Sequence, residues 1–398
     1  MEKQTIAPIS LNERIQSIDS MRGFAILGIF FVNMLAFHSP FLYLNPQSWW
    51  KSSPDYYAYI FIDIFAQSSF YTLFSFLFGF GMIIFKERAV KRGFSFVRLF
   101  MKRLLSLLIF GVIHAFFIWH GDILITYALF GFILLLFHKA KSRTLLIWTS
   151  ALLLIPSLLI GGMLFMASIL SPTEWSTLVE NQEMIKRSLH VYSSGTYLDI
   201  TRQRFIDWTY VNGNENIVFI FLSLFPMFLL GAYTAKKKWL SHVELHKRAF
   251  MTGAFLSFIA GFAFKIIPLF SDNAGLLYLQ DALGGPFVAI FYICMMALAS
   301  LHKVLKPIMI PFSLVGRLSL SHYLFQSVIG TLLFYSYGLG LYGKTGAFTG
   351  TIMVVVIFSF QVIISKMWLK RYRFGPIEWI WKIATYGKKT ELLKKGVD

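Results

Sequence analysis

"SIDSMRGFAILGIFFVNM", residues Ser17 to Met34, is an apolar stretch with polar groups in unexpected places. Asp19 and Arg22 stand three residues apart at its start, and Asn33 stands near its far end. Charges and amides cost free energy in hydrocarbon unless they find partners. A helix needs roughly 20 apolar residues to cross a bilayer, and this run is long enough. The fold therefore turns on whether the pattern recurs along the chain.

It does recur. The chain has 398 residues, is 57% hydrophobic and 14% charged, and has a mean hydropathy of +0.64. A soluble domain has about 25% charged residues, so the composition is that of an integral membrane protein. The 43 Phe, 18 Tyr and 10 Trp suit lipid-facing surfaces and interfacial belts. A net charge of +18 would fit a nucleic-acid binder, but the charge lies in short loops between apolar runs, and no nucleic-acid partner is expected. The single cysteine, Cys294, excludes an internal disulfide and a cysteine-ligated metal centre. No small-residue cleavage site follows the first apolar run, which reads as a retained helix.

About ten apolar runs are present, near 21–41, 57–85, 99–118, 121–138, 144–170, 215–235, 248–270, 281–301, 311–336 and 347–367. The expected fold is all-α, a polytopic membrane bundle. Loops such as "KERAVKRGFSFVRLFMKR", "HKAKSR" and "KKKWLSHVELHKR" are basic, and they alternate with loops that hold few positive charges. The positive-inside rule then places both termini in the cytoplasm. The expected organisation is a cytoplasmic segment at 1–20, helices at 21–170, an extracytoplasmic loop at 171–214, helices at 215–367 and a basic cytoplasmic tail at 368–398. The long loop carries Tyr192, Tyr197, Arg202, Arg204 and Trp208, which suggests a lid of short helices.

Ionisable groups within the runs are functional candidates. Asp19 and Arg22 fall at the cytoplasmic rim, where a carboxylate caps the helix and a guanidinium meets lipid phosphates. Asn33 lies about 16 Å further along at 1.5 Å per residue, and a buried amide there needs a partner. His38 follows at the outer interface. Asp63 and Gln67 are one turn apart in the second run; His114 and His120 flank the outer end of the third, and Asp122 opens the fourth. His114, His120 and Asp122 follow no recognised metal-ligand spacing, and no metal is expected. In "GRLSLSHYLFQSVIG", Ser319, His322 and Gln326 share a helix face beside Tyr323. Helix-to-helix hydrogen bonding accounts for such a stripe as well as a substrate path does. "GLGLYG", Gly338 to Gly343, matches a dinucleotide-binding pattern but follows an apolar helix instead of a strand.

Four stretches carry a family resemblance. "RIQSIDSMRGFAILGIFFVNM", "RLLSLLIFGVIHAFFIWHGDILITYALFG", "VGRLSLSHYLFQSVIGTLLFYSYGLGLYG" and "FGPIEWIWKIATYG" together look like the YeiB-like family of bacterial inner-membrane proteins, a domain of unknown function. That family in turn resembles transmembrane acyltransferases, among them the acyltransferase-3 enzymes and heparan-glucosaminide N-acetyltransferase. The resemblance implies acyl transfer from a cytoplasmic acyl-CoA to an extracytoplasmic glycan, lipid or small-molecule acceptor. It implies no permanently bound cofactor. The acyltransferase-3 pattern is an arginine, ten residues, then a histidine. Arg22 matches the arginine, but Asn33 stands where the histidine would be. The further-out histidine of the N-acetyltransferase relatives falls on Leu44, and His38 is the nearest histidine. The base is therefore either displaced to His38 or absent.

Under this reading Arg22, Arg103 and Arg317 attract CoA phosphates, and Asn33 steadies the developing oxyanion. His38 or His114 takes the acceptor's proton, and Asp122 or Asp63 orients the base. Asp63, Gln67, His120, His322, Tyr323 and Gln326 would line the substrate cavity. Two other readings use the same residues: a transporter with these groups along its path, and a non-catalytic membrane scaffold or stress factor.

Overall fold

A computed structural model describes residues 15–171, 180–213, 216–387 and 391–393. Most of the N-terminal segment and part of the basic tail lie outside the described residues. Every apolar run is helical. The principal helices are α1 (Gln16–His38), α2 (Ser53–Phe65), α3 (Ser69–Lys91), α4 (Phe96–Ile113), α5 (Leu124–Leu134) and α6 (Ser142–Leu170). They continue with α7 (Gln182–Ser194), α8 (Tyr197–Asn212), α9 (Ile217–Lys236), α10 (Lys247–Lys265), α11 (Ala274–Leu279) and α12 (Gly285–Ala299). The last are α13 (Ile310–Gly316), α14 (Ser319–Phe334), α15 (Ala347–Arg371) and α16 (Pro376–Tyr386).

Among the described residues seven helical segments are long and apolar enough to span a membrane, and eight if α13 and α14, bent by 73°, count as one. The chain is an all-α, multi-pass membrane protein. Two of the ten runs do not qualify as spans. The α4 helix carries Arg98, Lys102 and Arg103, and α5 with the turn after it is short. On α6 the large apolar side chains point outward, Ile147, Leu158, Leu159 and Met163 among them. In water such a face would lack cover; in a bilayer it is the lipid contact.

Close helix crossings replace a water-driven core. A Cβ built on Gly23 of α1 would lie 1.8 Å from the Phe312 carbonyl oxygen of α13, and one on Gly316 would lie 1.8 Å from the Asp19 oxygen. The α3–α9 crossing repeats this, with Gly79 against Phe228 and Gly231 against Phe76, each at 1.9 Å. Only glycine allows these backbones so near one another.

Two spans are broken at the same level. The α2–α3 span breaks at Ala66 to Ser68, where Ser68 takes a left-handed backbone with φ of 60°. Its groups are satisfied locally: Tyr71 Oη donates to Ser68 Oγ at 2.9 Å, and Thr72 Oγ1 donates to its carbonyl at 2.8 Å. The second break is a π-turn, Gln280–Gly284, between α11 and α12. A Cβ on Gly285 would stand 2.5 Å from Ser68 Cβ, so the two breaks pack directly together.

The long segment after α6 folds into the helix pair α7–α8. Asn181 caps α7, accepting from the Met184 N–H, and Thr196 and Asp199 form a reciprocal capping box on α8. The pair covers the turn that joins α4 to α5. Tyr197 Oη and Arg204 Nη1 both donate to the Phe117 carbonyl, at 2.8 and 3.1 Å. Trp119, His120 and Asp122 are consequently buried. The sequence places "WHGD" in an outer loop; the structure makes it a covered tip within the protein.

At the opposite end of the bundle α16 docks on α14. Glu378 accepts from the Leu320 and Ser321 N–H groups at 2.7 and 3.0 Å, and from the Ser321 hydroxyl. It thus caps a helix that lacks a cap of its own. The Trp381 indole donates to the Arg103 carbonyl at 3.0 Å, while the Arg103 guanidinium lies 3.8 Å over the Trp381 ring.

Candidate functional site

The two broken spans, the covered α4–α5 tip and the α8–α9 junction enclose a cavity of about 460 Å³. Its wall is mainly apolar, with Ile29, Phe70, Phe219 and Leu277 among its residues. The polar groups converge from four sides. Asn33 comes from α1; His120 and Asp122 come from the tip; Tyr323 comes from α14; Tyr278 at the end of α11 and Asp281 in the break that follows it form the fourth side. An apolar pocket with a few convergent polar groups is the usual form of a small-molecule site. No Lys or Arg among the described residues lines it.

Asn33 earns its place in the opening stretch here. Its amide lines the cavity and makes no hydrogen bond among the described residues. A partly buried amide without a protein partner is available to a ligand.

His120 is held by a carboxylate network that sequence reading missed. Asp207 of α8 is buried and accepts three bonds: from Tyr43 Oη at 2.7 Å, Tyr192 Oη at 2.6 Å and Gln203 Nε2 at 2.7 Å. His120 Nδ1 lies 3.3 Å from Tyr192 Oη and 3.6 Å from Asp207 Oδ2. Since Tyr192 donates its own proton to Asp207, its oxygen can accept the Nδ1 proton. With the proton on Nδ1, the lone pair lies on Nε2. Burial pushes the His120 imidazole below its ordinary range, against the raising effect of Asp207, so the ring is neutral near pH 7. Burial and the neighbouring Asp207 likewise raise the Tyr192 phenol.

Asp122 joins the cavity to a second chain of groups. His114 Nδ1 lies 2.8 Å from Asp122 Oδ1, and His114 Nε2 lies 2.8 Å from Ser327 Oγ. The other Asp122 oxygen accepts the Ile125 N–H at 2.8 Å, which starts α5. All three residues are buried. Only Asp122 of the three lines the cavity.

The remaining candidates are placed as follows. His38 is buried at the end of α1 between Trp50 and Phe334 rings and does not line the cavity; neither ring nitrogen has a partner among the described residues. Asp63 accepts from Gln280 Nε2 at 2.7 Å, behind the cavity wall. Gln67 falls in the α2–α3 break and so is not one helical turn from Asp63. His322 Nε2 lies 2.6 Å from Ser365 Oγ, and Gln326 donates to Gln361 at 3.0 Å, both across to α15. This stripe joins two helices and stays out of the cavity. Arg22 pairs with Asp19 at 3.1 Å. Arg103 sits on Trp381, and none of Arg22, Arg103 and Arg317 lines the cavity. Lys265, fully buried, pairs with Asp281 at 3.0 Å; an ionic pair inside two apolar runs was the sequence signal for it. Among the described residues no three His, Cys, Asp or Glu side chains are grouped to hold a metal ion.

A family model described as "Protein of unknown function (DUF418)" matches residues 234–388. The chain is 38% identical to the uncharacterized protein YxaH of Bacillus subtilis, over 98% of this chain and 99% of the relative. The chain belongs to the DUF418, YeiB-like family. The uncharacterized protein YeiB of Escherichia coli is 29% identical, over 94% of this chain and 96% of the relative. An uncharacterized 39.9 kDa protein from the amylase 3' region of Bacillus acidopullulyticus is 30% identical, over 98% and 99%. No solved structure matches the chain. The matched segment 234–388 holds α10 to α16, with the second break and the Glu378 cap, whereas His120, Asp207 and Asn33 precede it.

Proposed function

We propose that this protein is a membrane acyltransferase that passes an acyl group from cytoplasmic acyl-CoA to an extracytoplasmic acceptor held in the cavity. The observation that carries the reading is His120. Among the described residues it is the one cavity histidine, its Nδ1 side is held by Tyr192 and Asp207, and Asn33, an amide without a partner among them, shares its cavity. The alternation of basic and non-basic loops supports a bacterial cytoplasmic membrane with both termini inside.

The step balances as follows. His120 Nε2 takes the proton of the acceptor's O–H or N–H as that atom attacks the thioester carbonyl. The carbonyl oxygen becomes an oxyanion, and the Asn33 amide N–H donates to it. The tetrahedral adduct collapses, the C–S bond breaks, and the CoA thiolate recovers the proton from His120. Acyl-CoA is consumed as a co-substrate, and no resident cofactor takes part. Base catalysis of this kind contributes roughly 10²–10⁴-fold.

The test is release of free CoA thiol by purified protein, offered a panel of short-, medium- and long-chain acyl-CoAs with an envelope extract as acceptor source. Release above that of a His120→Ala control supports the reading; none across the panel overturns it. A second reading, transport, is favoured by the two packed helix breaks at the cavity, since unwound membrane segments often bind translocated solutes. Substrate-dependent uptake into proteoliposomes without acyl transfer would favour it.

A further inference from the structure

A second pocket, of about 330 Å³, opens where α1 begins. Helix α1 is about 35 Å long at 1.5 Å per residue, and its far end meets the α7–α8 pair, so this pocket and the cavity are at opposite ends of the bundle. The groups that line it include Gln16, Ser17, Ser241, His242, Glu244 and Lys306.

Three features point the same way. The first turn of α1 has no side-chain cap among the described residues, since Ile15 precedes it, and Gln16 and Ser17 at its start line the pocket, which puts the positive end of the helix there. Ser17 is 6% exposed, lines the pocket and has no hydrogen-bond partner among the described residues. Its hydroxyl is a buried polar group with nothing but the pocket to satisfy it. The Lys306 ammonium lines the same space without a partner among the described residues. The flanking stretches "KKKWLSHVELHKR" and "HKVLK" surround the mouth with further positive charge.

We propose that this pocket binds a phosphate group, with the α1 N-terminus and Ser17 donating to its oxygens and Lys306 balancing its charge. Glu244 then accepts from a hydroxyl or amine that the same ligand carries. A soluble phosphate ester and a phospholipid headgroup both present this chemistry. The proposal does not depend on acyl transfer.

The test has two arms on the full-length protein. In detergent, inorganic phosphate is titrated while thermal unfolding is followed. In nanodiscs, phosphatidic acid retained on the protein is compared with phosphatidylcholine by native mass spectrometry. Ser17→Leu, which fills the pocket, and Lys306→Gln, an exposed change that leaves the fold alone, are run alongside. A phosphate-dependent rise in unfolding temperature, or preferential retention of phosphatidic acid, supports the proposal if Ser17→Leu abolishes it and Lys306→Gln weakens it about tenfold, the loss of one charge-assisted contact. The arm that responds identifies the source as soluble or lipid. No response in either arm, or a response that survives both substitutions, overturns it.

Discussion

Asp207→Ala should loosen the α7–α8 pair without unfolding the bundle. The carboxylate gathers Tyr43 from the segment after α1, Tyr192 from α7 and Gln203 from its own helix, at 2.6–2.7 Å. Truncation strands three buried donors. Each costs about 1–3 kcal/mol when left unpaired, roughly 3–9 kcal/mol in sum. Relief from burying a carboxylate offsets part of this, leaving about 3–5 kcal/mol. Each 1.4 kcal/mol is a factor of ten, so hydrogen exchange in peptides from 182–212 should quicken by a hundredfold or more. Peptides from α3 and α9 serve as the internal reference, because their packing at Gly79 and Gly231 does not involve Asp207. Asp207→Asn, which keeps one acceptor oxygen, should show a smaller effect. Exchange in 182–212 within about threefold of wild type, with the fold intact, would refute the claim that Asp207 holds this pair down.

Further outcomes follow from particular sites. Gly231→Ala should lower the unfolding temperature through about 1–3 kcal/mol of overpacking, whereas Gly162→Ala, where a Cβ meets nothing within 4 Å, should be neutral or slightly stabilising. Glu378→Ala should cost about 1 kcal/mol as a lost cap and speed proteolysis of α16. Burial holds the Glu378 carboxyl above its usual range, so the folded state keeps its proton longer than the unfolded chain. Stability from this group is therefore greatest at low pH and falls as pH rises past the ordinary Glu value; Glu378→Gln should remove that slope, as read by pH-dependent thermal unfolding. His120 runs the opposite way. Its folded value is lowered, so below the ordinary His range the unfolded chain binds more protons and stability falls as pH falls. Acyl transfer should show an acid limb in the same window, displaced to lower pH in Asp207→Asn.

Much of the bundle was legible in the sequence. Hydropathy located every helix long and apolar enough to span a membrane, together with two runs, at α4 and α5, that do not qualify. The breaks were less visible. Ser68 carries a positive φ on a residue type that gives no warning of it, and the π-turn at Gln280–Gly284 interrupts an otherwise apolar run. Short helices were expected inside the long loop, but the Thr196–Asp199 capping box that starts α8 was not read there. What local pattern could not supply was depth. The "WHGD" turn reads as a surface loop because nothing nearby reports that α7 and α8, some 80 residues later, fold over it. For the same reason His120 could be named as a cavity residue but not as the oriented one, since Asp207 and Tyr192 reach it only through tertiary packing. Asn33 was singled out by position in the helix, and it lines the cavity.

The central claim rests on which histidine faces the acceptor, and transfer of labelled acyl groups from acyl-CoA measures it most directly. Wild type, His120→Ala, Asn33→Ala and His38→Ala are compared at equal amounts of folded protein. The account predicts that His120→Ala loses at least about a hundredfold, as for a general base, that Asn33→Ala loses a comparable factor for an oxyanion donor, and that His38→Ala stays within a few-fold of wild type. Full activity in His120→Ala, or its loss in His38→Ala with the fold intact, would contradict it.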